Sequence, residues 1–149
     1  MIPARRLLLL SALSSLAACG TVSDWRDVNS APMTIAECYD GLIFVATSHG
    51  FSADVPNCDR GNGLWQSRWQ PRHLGLGRPG RYRLRAEVLI DEGSPDKGWP
   101  IRYVIEQQKV KDLRRSMEPT EDDWSRDGQD AESEAIFGEK LARRLGPKV

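Results

Sequence analysis

Residues 81–91 alternate between apolar and mostly charged side chains, and this alternation constrains the fold more than any other feature of the sequence. Such a pattern is typical of a strand in an antiparallel sheet that turns one face to a core and the other to water. We therefore predict a strand over 81–91. Its apolar face carries Tyr82, Leu84, Ala86, Val88 and Ile90, and its other face carries Arg81, Arg83, Arg85, Glu87 and Leu89.

Further strands are predicted on both sides of this segment. Turn-forming residues at 92–98 favour a hairpin loop, and residues 101–110 are the predicted partner strand. Residues 64–69 predict a third strand, in which a spacing of four places Trp65 and Trp69 on one face. These two tryptophans and Trp99 serve either as core residues or as an exposed interface. Weaker strand predictions fall near Val28 and over 51–55, and a Gly- and Pro-rich loop is predicted over 71–80.

Two helices are predicted from their end signals. Thr34 and Glu37 form a T-x-x-E capping box, in which each side chain satisfies a free backbone N–H, and Gly50 supplies a left-handed stop. We predict the first helix over 34–49 and the second over 130–145, where a Gly-Pro pair follows. The second helix has an apolar stripe of Ile136, Phe137, Leu141 and Leu145.

The order of these elements predicts an α+β fold, in which an antiparallel β-meander is packed by two helices in two layers. We divide the chain into a signal peptide (1–18), a tether (19–31) and a single domain (32–146) with an acidic loop at 118–130. A domain of this length is large enough for one hydrophobic core.

The amino-terminal residues have the layout of an export signal. Arg5 and Arg6 precede about ten mostly apolar residues and then small ones, and a run this short does not cross a bilayer as a permanent helix, which takes about twenty residues. Residues 16–19 read LAAC, which resembles the lipobox of bacterial lipoproteins. The resemblance implies that the chain is cut before Cys19 and that Cys19 carries lipid. The alternative is an export signal with an incidental cysteine.

The same resemblance carries a prediction of location. Gly20 follows Cys19, whereas Asp at this place retains the lipoproteins of enteric-type bacteria in the inner membrane. The resemblance therefore implies a protein of the outer membrane that faces the periplasm and has the membrane as a partner through lipidated Cys19. Two or more acyl chains are enough for a stable anchor.

Two cysteines remain in the predicted mature chain, Cys38 and Cys58. Because an exported chain sits in an oxidising compartment, we expect these two residues to form a disulfide. The bond would close a loop of about 21 residues and contribute about 3 kcal/mol in the chain-entropy model. Two buried free thiols are the alternative.

Composition and motifs argue against several function classes. The chain has 21 basic and 21 acidic residues, and loss of residues 1–18 leaves a net charge of −2, so no nucleic-acid partner is predicted. Two histidines, no Cys-x-x-Cys and no EF-hand spacing predict no metal site and no cofactor. His49 at a helix end and His73 in a loop have no evident catalytic partners, and no nucleophile or phosphate-loop motif is present. We predict no enzymatic activity.

The arginines of the central strand are the candidate binding face. Alternate spacing puts Arg81, Arg83 and Arg85 about 7 Å apart on one side of the sheet, where their charges repel one another unless acids face them. Those acids come from the acidic residues 118–134 of the same chain, from anionic lipid headgroups, or from an acidic protein partner. The fourth alternative is a solvated face that is paired across strands with acids such as Glu106.

The elements in this order resemble the small domains of BamC-type lipoproteins, from the T-x-x-E helix to a D-R-x-x-G turn before a strand. Asp59, Arg60 and Gly63 fit that turn, and the resemblance covers residues 34–110 as a pattern of elements. It implies a helix-grip-like two-layer sandwich and an accessory, non-catalytic part in the outer-membrane β-barrel assembly machine. This chain has one such domain, and its predicted disulfide is not a feature of that family.

These observations predict a non-enzymatic, lipid-anchored envelope protein with a structural or partner-binding role. An envelope protein that takes part in outer-membrane assembly is the candidate partner. The alternative function is the binding of a small ligand or an envelope polymer on the concave face of the sheet under the last helix. That alternative needs an opening there, whereas a packed Phe137 and Leu141 would leave none.

Overall fold

A computed structural model describes residues 23–115 and 117–148, so the predicted signal peptide and Cys19 lie outside the described residues. The described part of the chain forms six strands and two α-helices, and the predicted α+β two-layer fold is confirmed. In chain order the elements are β1 (Arg26–Asn29), α1 (Ile35–Ser48), β2 (Leu64–Gln66), β3 (Gln70–Leu74), β4 (Arg78–Val88), β5 (Pro100–Val110), β6 (Trp124–Gln129) and α2 (Ala131–Leu145).

One antiparallel sheet contains these strands, and β4 and β5 are its central pair. β2 and β3 follow one another along the free edge of β4. β1 and β6 lie end to end along the free edge of β5. Strands β2 to β6 therefore form the predicted meander, and β1 adds to its edge. Both helices pack on one face of the sheet, which we call the inner face; the opposite face is the outer face.

Helix α1 begins and ends where its local signals predict. The Oγ1 of Thr34 accepts a hydrogen bond from the backbone N–H of Glu37 at 3.2 Å, and the Glu37 carboxylate accepts one from the backbone N–H of Thr34 at 2.8 Å. Gly50 has a φ of +97°, which a glycine adopts at little cost. Phe51 then folds back, since its N–H bonds to the carbonyl of Ala46 and its side chain is buried.

The predicted strand over 64–69 is interrupted, and this places its two tryptophans on opposite faces. Gln66 pairs with Arg85 and Gln70 pairs with Tyr82, so three residues on this edge oppose two on β4. One extra residue of this kind is a β-bulge, and it reverses the face of every side chain that follows. Trp65 is therefore buried in the core, whereas Trp69 lies on the outer face; the prediction of a shared face was wrong. The weak strand prediction over 51–55 reduces to one bridge at Ala53 and a 3-10 turn over Val55–Asn57.

The loop predicted over 71–80 is a β-hairpin. β3 pairs with the first residues of β4 in register from Gln70↔Tyr82 to Leu74↔Arg78. The turn is tight because Leu76 and Gly77 both have positive φ, of 63° and 72°, as short hairpin turns require. Pro71 is tolerated because β3 is an edge strand. Glycine and proline here mark the turn and the edge rather than an irregular loop.

The predicted acidic loop and the predicted tether each contain an edge strand, so the bounds given for these two segments were wrong. The acidic loop predicted over 118–130 contains β6, which pairs with the second half of β5. The tether predicted over 19–31 contains β1, where the weak strand prediction near Val28 was right. Both strands are short and polar, and short edge strands gain their hydrogen bonds from a neighbour that is distant in sequence.

Helix α2 closes the inner face as predicted for its stripe, except that Ile136 is exposed. Phe137, Leu141 and Leu145 are buried, and Asp130 caps the helix by accepting a hydrogen bond from the N–H of Ser133 at 3.1 Å. The core they seal also contains side chains from α1 and from the inner positions of β2, β4 and β5. Its members include Tyr39, Leu42, Phe51, Trp65, Leu84, Trp99, Ile101, Tyr103 and Ile105.

A buried carboxylate joins the edge strands to α2. Glu134 is 1% exposed; it accepts hydrogen bonds from the guanidinium of Arg26 at 2.8 Å, the backbone N–H of Ile105 at 3.0 Å and the amide of Gln129 at 2.9 Å. These three partners come from β1, β5 and β6. One side chain of α2 therefore fixes the point at which the two end-to-end edge strands meet β5.

Candidate functional site

The arginines predicted to share a face do so, and the register defines what lies across from each. On β5, Gln108 is opposite Arg81, Glu106 is opposite Arg83 and Val104 is opposite Arg85. All of these positions are on the outer face, away from α1 and α2. The face is not a bare cationic stripe, because every guanidinium contacts an indole ring and a carboxylate.

Arg81 lies between two tryptophan rings. Its guanidinium carbon is 4.6 Å from the ring centroids of both Trp69 and Trp124. Its Nε donates to Gln108 at 2.7 Å, and its two terminal nitrogens donate to the Glu121 carboxylate at 2.8 Å each. A two-point contact of this type is the strongest geometry between arginine and a carboxylate. The hydrogen bonds from Arg81 lower the pKa of Glu121 although that carboxyl is exposed.

Arg83 and Arg85 share one carboxylate. Glu106 accepts from Arg83 at 2.8 Å and from Arg85 at 3.0 Å, and the guanidinium of Arg83 also lies 4.3 Å from the Trp69 ring. Burial by itself raises the pKa of Glu106, but the hydrogen bonds and positive charges of the two arginines outweigh it and hold the pKa below its ordinary value. Glu106 is therefore an anion in a largely closed site.

A third tryptophan organises the other end of the face. The guanidiniums of Arg85 and Arg102 lie 5.4 and 5.1 Å from the ring of Trp25, and Arg102 also donates to Glu87 at 2.7 Å. Trp25 directly precedes β1, so alternation puts its ring on the outer face near Val104, which is completely buried.

We call this surface the arginine–tryptophan face. It consists of Trp25, Trp69, Trp124, Arg81, Arg83, Arg85, Arg102, Glu87, Glu106 and Glu121.

Its four arginines and three glutamates leave one net positive charge, and the repulsion expected of the bare stripe is cancelled within the chain. Two of the predicted sources of acid are both realised, since Glu121 comes from the acidic segment and Glu106 from across the strand. The side chains of Arg83, Arg85 and Arg102 remain 24%, 41% and 41% exposed, so part of each guanidinium is open to an external group.

Sequence reasoning missed three members of this face, Trp25, Trp124 and Arg102. Trp25 was assigned to the tether and Trp124 to an acidic loop, so neither was considered as part of a sheet. Arg102 and Glu87 sit directly opposite each other in register. The signal that was available is the alternation of the partner strand, in which even-numbered positions from Arg102 to Gln108 share the face of Arg83.

The predicted disulfide is not formed in the structure, where Cys38 and Cys58 are separate free thiols. Cys38 is completely buried on α1 beside Ser30, and burial raises the pKa of its thiol to about 11. Cys58 is half-buried, and its Sγ lies 3.4–3.5 Å from the backbone of Gln66 on β2. The two sulfurs thus face different neighbours, and the spacing in sequence did not reveal this.

Within the described part of the chain, neither histidine forms a hydrogen bond or an ion pair with a carboxylate. His49 caps α1, stacks on Phe51 with a centroid distance of 5.5 Å and has its Nδ1 3.1 Å from the Lys140 ammonium. Burial, and then the Lys140 charge, lower the pKa of His49, so it acts as a neutral packing residue rather than the cation expected at a helix end. His73 is exposed on β3.

The residues of the D-R-x-x-G turn have structural roles here. The carboxylate of Asp59 accepts hydrogen bonds from the backbone and side chain of Asn62, and Arg60 donates to Asp40 on α1 at 2.7 Å. Gly63 has a φ of +72°, and a Cβ at this position would collide with the carbonyl oxygen of Val88. The turn therefore joins α1 to the start of β2.

Other surfaces offer hollows without convergent chemistry. A groove of about 540 Å³ between the helices is lined in part by Met33, Phe44 and Arg144, and another of about 420 Å³ lies beside Glu87 and Asp91. Within residues 23–115 and 117–148, no three His, Cys, Asp or Glu side chains are grouped to hold a metal ion. The helices of that same part of the chain are too short or too polar to cross a membrane.

Comparisons with known proteins identify no family for this chain. No protein-family model matches the chain. No curated protein is detectably similar to it in sequence.

Proposed function

We propose that this protein is a non-enzymatic, lipid-anchored envelope protein that acts by surface contact, with a structural or partner-binding role at the outer membrane. The lipobox LAAC and Cys19 support the anchor. Assembly of outer-membrane proteins is the process in which we expect its partner, in line with the BamC-type order of elements.

One observation carries the proposal of a surface role. Phe137 and Leu141 are completely buried between α2 and the sheet, so side chains fill the place where a ligand would have to enter. By contrast, no helix within residues 23–115 and 117–148 covers the outer face, which keeps three half-buried tryptophans and partly exposed arginines. Tryptophan and arginine are the residues most often found at energetic centres of interfaces. The filled core also weighs against the alternative of a ligand site under the last helix.

The anchor is tested by fractionation of cells that express Cys19→Ser. We expect this variant to stay unprocessed or to leave the membrane fraction, because the thiol that takes the lipid is missing. The matched control is Cys58→Ser, which replaces a half-buried cysteine of the folded domain and leaves the lipobox intact. This control should fractionate as wild type does. A processed, membrane-bound Cys19→Ser protein would refute lipidation.

The partner is tested by recovery of the full chain from native membranes in a gentle detergent, followed by mass spectrometry. Barrel proteins or assembly factors at near-stoichiometric amounts would support the role in assembly. Bait without partner would remove that role and direct the search to envelope polymers.

A further inference from the structure

We propose that the arginine–tryptophan face lies on the anionic headgroups of the membrane that carries the anchor. The proposal rests on lipidation of Cys19. It specifies that the arginine–tryptophan face, to which we assign the surface role, contacts lipid rather than an acidic protein.

The first argument is the length of chain between the anchor and the fold. Four residue steps separate Cys19 from Ser23, and four fully extended residues reach at most about 14 Å. Ser23 is held on the folded domain, where its Oγ accepts a hydrogen bond from Arg126 at 2.7 Å. Asp24 is held too, by its N–H to the side chain of Gln129 at 2.6 Å. A lipid on Cys19 therefore keeps this part of the domain within about 14 Å of the bilayer surface.

The second argument is the direction in which the chain leaves the domain. Arg126 is opposite Gln108 in the register of β6 and β5, which puts it on the outer face with Arg81. Trp25 lies on that face two residues after Ser23. The anchor is thus attached at the outer face, whereas α1 and α2 are on the far side of the sheet.

The third argument is the chemistry of this face and of the sheet end that continues it. The β3–β4 turn and the β5–β6 connection leave the same end of the sheet, next to Trp124. They carry an apolar end formed by Leu76, Leu113 and Met117, which are 109%, 57% and 91% exposed. The same connection carries two exposed cations, Lys111 and Arg114, and also the exposed acids Asp112, Glu118, Glu121 and Asp122.

Exposed apolar tips beside cations and amphipathic indoles are the composition of a surface that sits in a lipid interface. An acidic protein partner would satisfy the arginines but would leave the apolar end in water. The length of the tether and the apolar end therefore both favour lipid as the occupant of this surface.

The test uses the lipidated full chain reconstituted into vesicles of phosphatidylcholine with and without phosphatidylglycerol. A spin label on the lipid headgroup quenches nearby tryptophan fluorescence, and Trp25, Trp69 and Trp124 are on the proposed contact surface, whereas Trp65 and Trp99 are buried. We expect quenching to be stronger with phosphatidylglycerol, to weaken with salt, and to fall when Trp25 is replaced by Phe.

The decisive variants change exposed apolar residues, so they leave the fold intact. Leu76→Glu with Met117→Glu adds two negative charges at the apolar end. Each added charge should lower, about fivefold, the fraction of protein whose arginine–tryptophan face contacts anionic vesicles. The matched control is Phe44→Glu with Ile136→Glu, which adds the same charge on the helices, at side chains 55% and 45% exposed. We expect the control to match wild type, and thermal melting checks that both proteins fold.

The outcomes separate this inference from the proposed function. Vesicle flotation with quenching that neither pair of substitutions changes would overturn the inference and leave the anchor intact. Weaker quenching in the helix-side control would mean the opposite orientation and would also overturn it. Loss of a protein partner by Leu76→Glu with Met117→Glu, at unchanged quenching, would assign the surface to protein. Failure to float, with no lipid on Cys19 by mass spectrometry, would remove both.

Discussion

The two faces of the sheet are built from the same strands but by different means. The inner face is covered by α1 and α2, and its side chains form an apolar core in which Leu84, Ile101 and Ile105 are completely buried. Neither of the two helices in the described part of the chain covers the outer face, yet Val104 and Val110 are also completely buried there. Flat indole and guanidinium groups, stacked across the strands, supply the cover that a second helical layer would otherwise give.

Stability and recognition are divided between the two faces. A fully buried apolar side chain contributes about 1.5–3 kcal/mol, whereas an exposed cation–π contact contributes about 0.5–1 kcal/mol. The inner face therefore decides whether the chain folds. The outer face adds less to stability, but its arginines and tryptophans are held in place and stay partly open, so a surface contact costs little further ordering.

The largest difference in stability is expected between the loss of Trp65, on the inner face, and the loss of Trp69, on the outer face. Trp65→Ala should lower the free energy of unfolding by about 3–5 kcal/mol because it empties a place in the core, whereas Trp69→Ala should cost only about 1–2 kcal/mol through its two arginine contacts. Urea unfolding of the full chain in a neutral detergent measures both. Equal losses would mean that the bulge between β2 and β3 does not put the two rings on opposite faces.

The next effect compares the carboxylates of the two faces. Glu134→Gln puts an amide among three donors in a buried site, so we expect a loss of about 1–3 kcal/mol in the free energy of unfolding. Glu106→Gln should cost about 0.2–1 kcal/mol, because its arginine partners are partly exposed and water screens them. The same urea experiment applies, and a greater loss for Glu106→Gln would reverse the assignment of the two faces.

A smaller effect is the acid dependence of the outer face. The folded-state pKa of Glu106 is lowered, so its stabilising contribution is present above its unfolded pKa of about 4.3 and is lost as the pH falls through the folded value. Glu106→Gln should therefore flatten the loss of stability below about pH 4 and leave the slope at neutral pH unchanged. Thermal melts across this pH range test it; a slope as steep as in wild type would exclude Glu106 as the titrating group.

The smallest expected effect is a difference in the reactivity of the two thiols, which can be measured on the wild-type protein. In the native protein a thiol reagent at mildly alkaline pH should react with half-buried Cys58 and spare Cys38, whose pKa is about 11 and which becomes reactive only on unfolding. Cys58→Ser should remove the native reaction and serves as the control. Denatured, unreduced protein without these two thiols would contradict the structure and reinstate the disulfide.

Features set by short stretches of sequence were predicted well. The capping box at Thr34, the stop at Gly50 and the central strand need only neighbours within a few residues, so the pattern contains the whole cause. The shared face of Arg81, Arg83 and Arg85 followed for the same reason, since alternation is a local property of a strand.

The errors concern contacts between distant parts of the chain. β1 and β6 are polar, short and stabilised by β5, and neither has an apolar pattern of its own. The face of Trp69 depends on one extra residue relative to β4, and the cysteine partners depend on where α1 packs. Strand register and side-chain contacts of this kind depend on two segments together, so neither segment predicts them by itself.

Local patterns predicted the two-layer α+β class, the ends of α1, the apolar stripe of α2 and the arginine stripe, because hydrophobic period and capping act over a few residues. It also supplies the lipobox on which the proposed anchor rests. The packing of Trp25, Trp69 and Trp124 on those arginines could be seen only in the folded chain. The same holds for the position of Ser23, where the chain leaves the domain on that face. The physical reason is that strand register and one bulge decide which distant side chains meet.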